Sequence, residues 1–182
     1  MLRMQSLFFA IRQLGLRAKY HAYGIEAINE ALTHLTIGAG PVLANYGAAV
    51  GKRAVIHGPL IIHNAVSDYS HAIIHDRVHI GRQVLLDLTD RIEIEDDAVI
   101  SMNCTLLTHQ DVGGRPLQEC YRRKVMPLRI GRGAYLGAGV TVLHGCNIGA
   151  GSVVGAGAVV TRPVPERVLA VGVPARVVRH LG

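Results

Sequence analysis

His109 sits in the stretch TLLTHQDVGGRPLQECYRRKVMPLRIG, residues 105–131. An imidazole is the side chain best suited to take up or give back a proton near neutral pH. Upstream, Asp87 in LLDLTD and Asn103 in SMNCT are polar groups that a structural turn would also explain. Downstream, Arg162, Arg176 and Arg179 are guanidinium forks of the kind that match phosphate oxygens. The run Arg122-Arg123-Lys124 lies between them, either a solvated charge run or a preference for an anionic acceptor. Cys104, Cys120 and Cys146 share no metal-type spacing, and Cys104 and Cys146 fall at small positions that suit packing. His57 and His75 stand three hexads apart and are expected to stack, as solvated corner histidines rather than metal ligands. Position alone leaves His109 either a group for proton transfer or a solvated corner residue.

What positions these groups is a repeat. Ile130, Leu136, Val142, Ile148, Val154 and Val160 recur every six residues, and Ala134, Val140, Cys146, Ser152 and Ala158 follow four places after the first five. The same frame takes in Val50, Ile56, Ile62, Ile74, Ile80 and Leu86, with Asp68 as the exception. A two-residue insertion then shifts it to Ile94, Ile100 and Leu106. A period of six fits neither a helix nor one long strand, but it suits short strands broken by turns, three to a coil. Each aliphatic residue then points into a narrow prism, which agrees with 4% aromatics, no Trp and 21 glycines in 182 residues. Such a stack buries a continuous core only by adding neighbouring coils.

Between Leu106 and Ile130 the chain runs the length of four hexads where one would continue the coil, so most of the segment 110–129 must leave the prism as a loop. Before the repeat, Leu7, Ile11, Leu14 and Ala18 share one helical face and Ile25, Ile28, Leu32 and Leu35 another. The organisation expected is a helical cap over 1–35, a β-helix over 36–172 and a tail over 173–182. The net charge of +6 is scattered and no aromatics interleave with it, so a phosphate-bearing ligand is expected rather than nucleic acid. Three cysteines suit a reducing cytoplasm, and the short apolar run near the N-terminus suits neither a signal peptide nor a membrane span.

The hexads resemble those of left-handed parallel β-helix proteins, which implies an all-β repeat fold. ISMNCTLLTHQD, followed by a loop and PLRIGRGAYLGAGVTVLHGCNIGAGSVVGAGAVVTRPVPERVLAVGVPARVVR, resembles hexapeptide sugar O-acetyltransferases of the maltose and galactoside type. That resemblance implies acetyl-CoA as co-substrate, no metal, and His109 as the general base that takes the proton of an acceptor hydroxyl. It places Thr161, Arg162, Arg176 and Arg179 on coenzyme A contact positions, with Ala138 and Ala156 touching through their backbones. Tyr135 stands where the family commonly has Trp beside the thioester. Asp87 and Asn103 match positions near the acceptor. The resemblance also implies a homotrimer with sites between neighbouring prisms, the loop from Gln110 reaching across the groove.

Departures beyond Tyr135 bear on this reading, and one is Ala138 in place of a family Ser, tolerable where only its backbone matters. The family's usual Pro is His144 here, and the segment 1–35 does not resemble the one that shapes the maltose-type sugar site. LHGCNIG, around His144, resembles γ-class carbonic anhydrases, but the position of their second ligand is Gly139 and a third has no counterpart. A non-catalytic β-helix module is the other alternative.

Overall fold

A computed structural model of the chain describes residues 14–36 and 38–182. Leu7 and Ile11 of the expected first helical face lie outside the described residues. Residues 14–23 are helical (α1), followed by α2 (Ile25–His34) and α3 (Ala39–Asn45). Ile25, Ile28, Leu32 and Leu35 are buried as their spacing requires, and α2 packs on the strand Leu60–His63. Leu14 and Ala18 are exposed. Helix continues past residue 35, and the first strand opens only at Ala49. Ala39, Val42 and Leu43 bury one face of α3 against the open end of the prism.

From there the chain winds as a left-handed parallel β-helix of hexapeptide repeats. The first face is built from Ala49–Val50, Ala72–Ile74, Ile92–Ile94 and Leu128–Ile130, continued by bridges at Ile148 and Val164. The second takes Val55–Ile56, His79–Ile80, Val99–Ile100, Tyr135–Leu136, Val153–Val154 and Val168–Val171. The third takes Leu60–His63, Val84–Asp87, Thr105–Leu106, Thr141–Val142 and Val159–Val160. The chain visits the faces in that order, coil after coil, and neighbouring coils pair in parallel register.

Three aliphatic columns fill the interior, and the members of each are in register. Ile74, Ile94, Ile130 and Ile148 form one column, Ile80, Ile100, Leu136 and Val154 another, Leu86, Leu106, Val142 and Val160 the third, all buried. The fifth-position residues Ala134, Val140, Cys146, Ser152 and Ala158 fill the corners between them. Three places after an aliphatic residue the backbone turns in the left-handed region. Arg77, Gln83, Asp97 and Asn103 do this in the N-terminal coils, and Gly133, Gly139, Gly145, Gly151 and Gly157 in the C-terminal ones. The segment 173–182 is not a free tail. Arg176–His180 turns back and pairs antiparallel with Val168–Val171, closing the second face with an edge strand.

Candidate active site

Three lengthened spacings in the six-residue rhythm fall on one edge of the prism, where the third face hands the chain to the first. One separates Ile62 from Ile74, a second Leu86 from Ile94, and the longest Leu106 from Ile130. Because these hexads stack, the three excursions lie on successive coils, one above the next. They bring Asn64, Asp87, Thr89 and His109 together.

Asp87, last residue of its strand, is 1% exposed. Its Oδ1 accepts from Asn64 Nδ2 at 2.8 Å and from the Thr89 hydroxyl at 2.8 Å. Its Oδ2 accepts the backbone N–H of Thr108 at 2.9 Å and of His109 at 3.1 Å, and lies 2.6 Å from His109 Nδ1. Burial alone would raise this carboxyl's pKa. Hydrogen bonds from Asn64, His109 and Thr89 outweigh burial and hold it well below the usual carboxylate range. An acceptor-only carboxylate fixes the imidazole tautomer: Nδ1 carries the proton and donates it to Asp87, leaving the Nε2 lone pair outward on a ring about one quarter exposed. The Thr89 hydroxyl, already donating to Asp87, sits 3.1 Å from Nδ1 and closes that side.

This corrects one expectation. Family position puts Asp87 against the acceptor, but the carboxylate lies beneath His109 with its oxygens committed, and its place is to orient the imidazole. His109 itself does not sit in a corner turn. It opens a two-residue strand, His109–Gln110, that pairs antiparallel with Lys124–Val125 and leads the chain out as a hairpin. Pro116–Glu119 forms a 3-10 turn near its tip. Asn103 occupies an ordinary corner, exposed and with φ 60°, its N–H bonded to Arg82 O. Turn geometry accounts for it without a ligand.

The residues expected to hold coenzyme A are distributed over this edge and the opposite one. Ala138 and Ala156 are exposed and stacked on successive coils, where the second face meets the third; Ala138 O accepts the Gly157 N–H at 2.9 Å. Tyr135 is 43% exposed on the second face, its phenol oxygen 3.3 Å from Ser101 Oγ. Arg176 and Arg179 lie on the terminal edge strand of that face. Thr161 and Arg162 fall instead on the edge that carries His109, exposed at its C-terminal end.

His57 stacks with His79, ring centroids 5.1 Å apart, and not with His75, which contacts Glu93 at 3.1 Å. The cause is the register: an insertion on the shared edge lengthens that coil by one hexad, so that Val55 pairs with His79. Cys104 and Cys146 are buried and their thiols pushed up by burial, as packing residues should be. His144 Nε2 contacts Gln110 Oε1 at 2.9 Å. Among the described residues no three His, Cys, Asp or Glu side chains are grouped closely enough to hold a metal ion. No helix among them is long and apolar enough to cross a membrane.

Residues 127–162 match the family model for the bacterial transferase hexapeptide, six repeats. The chain is a hexapeptide-repeat protein. Over 132 residues it is 34% identical to the serine acetyltransferase of Salmonella typhimurium, a match covering 72% of this chain and 46% of that enzyme. The hexapeptide chain thus spans less than half the length of the curated relatives it matches first. A hexapeptide-repeat acetyltransferase from Vibrio cholerae, solved with acetyl coenzyme A, shares the fold at TM-score 0.71 and 23% identity, over 87% of this chain and 89% of that one. A galactoside acetyltransferase in complex with coenzyme A aligns at TM-score 0.66 and 26% identity, over 85% and 79% of the two chains.

Asn64, Thr89 and Thr108 carry no motif that marks them in the sequence. The signal that finds them is the phase of the three irregular spacings, which all follow a third-face strand.

Proposed function

We propose that the protein is an acetyl-CoA-dependent O-acetyltransferase, acting on a hydroxyl of a sugar or polysaccharide precursor with His109 as general base. The observation that supports this most strongly is the buried Asp87 carboxylate holding His109 Nδ1 at 2.6 Å, which leaves Nε2 free to work. In this reading Nε2 takes the proton of the acceptor hydroxyl as its oxygen attacks the thioester carbonyl. The tetrahedral intermediate collapses, the carbon–sulfur bond breaks, and the departing thiolate receives that proton from Nε2. Asp87 stays ionised throughout and steadies the imidazolium between the two transfers.

Thr161, Arg162, Arg176 and Arg179 would hold the phosphates of coenzyme A, and the small Ala138 and Ala156 let its pantetheine arm run close to the backbone. Tyr135 would flank the thioester. Thr161 and Arg162 on one edge of the third face, Ala138 and Ala156 on its other edge, and Tyr135, Arg176 and Arg179 on the adjoining second face are an arrangement that fits a homotrimer with a coenzyme shared across each groove. Light scattering reads the mass. A cytoplasmic enzyme is the setting in which acetyl-CoA is met.

A second reading is favoured by the relatives: an acceptor of the serine type, since the Salmonella enzyme and an Arabidopsis one at 41% identity are serine acetyltransferases. Thiol release from acetyl-CoA, measured across a panel of sugars and L-serine, separates the two. His109→Ala should lower turnover about 10²–10⁴-fold while leaving the circular dichroism spectrum unchanged. Full turnover in a folded His109→Ala protein would remove His109 as the base. Absence of thiol release with every acceptor would favour the non-catalytic module.

A further inference from the structure

The hairpin that leaves the prism at His109 is fastened to the coil beside it, and the fastener is a side-chain amide. Gln110 Oε1 accepts from the Tyr121 hydroxyl at 2.8 Å and from His144 Nε2 at 2.9 Å, and Gln110 Nε2 reaches Arg122 O at 3.4 Å. Two donors converging on one oxygen fix both the amide orientation and the His144 tautomer, with the proton on Nε2. Nearby, Met126 N–H donates to Thr108 O at 2.9 Å. The Met126 thioether lies over Gly145, where an added Cβ would come within 2.8 Å of Cε. The residue that follows the returning strand, Met126, therefore rests on the turn of the next coil.

The geometry of the two-residue strand makes this useful. Neighbouring side chains on a strand point to opposite sides. His109 is opposite Val125 and Gln110 is opposite Lys124. One residue is thus tied from one side, by Asp87, and the next is tied from the other, by His144 and Tyr121. His144 is suited to a fixed, neutral role. Its Nδ1 is buried and has no hydrogen-bond partner among the described residues, so protonation would strand an N–H there. Burial, then the charges of Lys124 and His109, pushes its pKa below the ordinary imidazole value.

We infer that Gln110, with His144 and Tyr121, forms a positioning unit that fixes the hairpin beside His109 and sets the affinity for the acceptor, without taking part in proton transfer. The inference rests on the acetyltransferase reading for its kinetic consequence, but the fastening itself can be tested without activity.

The variants are Gln110→Ala, Tyr121→Phe, Gln110→Glu and Gln110→Met. In Gln110→Ala, KM for the acceptor should rise about tenfold through the three lost side-chain hydrogen bonds. Its kcat and its KM for acetyl-CoA should stay within about twofold of wild type, the range of a group that makes no contact with the reacting atoms. Tyr121→Phe should show a smaller rise in the same constant. Gln110→Glu keeps an oxygen that accepts from both partners and should restore the acceptor KM, whereas Gln110→Met fills much the same space without that oxygen and should leave the KM raised, an outcome a merely space-filling role would not give.

Limited trypsin digestion supplies the second readout, because Arg122, Arg123 and Lys124, none of them followed by proline, all lie on the hairpin. Cleavage there should be faster in Gln110→Ala than in wild type and slow again in Gln110→Glu. An unchanged acceptor KM, or a fall in kcat matching the change in KM, overturns the inference. Equal trypsin sensitivity in the three proteins overturns the fastening. If wild type releases no thiol with any acceptor, the acetyltransferase reading fails, and the digestion pattern still decides whether the hairpin is held.

Discussion

Asn103 and His109 occupy the same place in successive hexads, three places after Ile100 and Leu106, and the backbone does opposite things at them. At Asn103 it turns through the left-handed region, and the N–H finds a carbonyl of the coil below. At His109 it runs extended, since Asp87 below binds both the N–H and the ring, and the chain leaves the prism. The core beneath the two is alike: Ile100 and Leu106 are both fully buried. The difference is therefore made at the edge. A hexad position fixes backbone shape only while the coil below offers a bare turn, and at Asp87–Thr89 it offers a carboxylate in a widened one.

The sharpest way to break this comparison is Asp87→Asn. An amide can accept from Asn64 or from Thr108, but it cannot match the four donors and the imidazole at once. Turnover should fall about 10²–10⁴-fold with the wrong tautomer or orientation at His109. Stability should fall as well, by about 1–3 kcal/mol for a donor left unpaired in a buried site. The wild-type contribution has a defined pH sense. The folded carboxyl titrates well below its unfolded value of about 3.9, so the stabilisation is complete above that pH and is lost as pH falls through the folded pKa. Urea melts at pH 7 and pH 3 read this directly: the gap between wild type and Asp87→Asn should narrow at the lower pH.

Next in size are Ile100→Ala and Leu106→Ala. Each should cost about 2–5 kcal/mol in urea denaturation, as large-to-small core changes do. Similar costs would support the claim that the core treats the two hexads alike. A much smaller cost at Leu106 would place the difference in the core instead.

The corner itself is tested at Asn103. Asn103→Gly should change stability by less than about 0.5 kcal/mol, because both residues accept a positive φ, whereas Asn103→Val should cost about 1–2 kcal/mol. An unaffected Asn103→Val protein would mean the turn is not what holds that position.

The smallest expected effect is at His144. Its folded pKa is lowered, so between that value and the unfolded one of about 6.5 the unfolded chain binds more protons. The contribution is complete above about pH 6.5 and declines as pH falls towards the folded value. His144→Gln should therefore lose less Tm than wild type between pH 7.5 and 5.5. An identical loss would show that His144 is not kept neutral by the fold.

Much of this is legible in the chain, for reasons that differ by region. The inward columns are readable because each member must be aliphatic for the narrow prism to fill, which writes the period into residue type. Cys104 and Cys146 can be assigned to packing on the same ground. His109 is readable as the point where the period fails. The partner of its ring is not, because Asp87 and His109 are distant in the chain and only coil stacking makes them neighbours. A regular coil would set His57 beside His75, but the widened edge makes its neighbour His79. The hairpin reads as a loose wall, since nothing in QDVGGRPLQECYRRK announces that Gln110 will meet Tyr121 and His144.

The sequence by itself thus determined the β-helix, its frame and the site of interruption, because six-residue periodicity is a local property that burial enforces at every coil. The tertiary structure decided which interruptions share an edge, that Asp87 is a support for His109 and not an acceptor contact, and that the hairpin is fastened. Those are matters of stacking register and side-chain hydrogen bonding across coils, where the partners are fixed by the summed lengths of the turns between them.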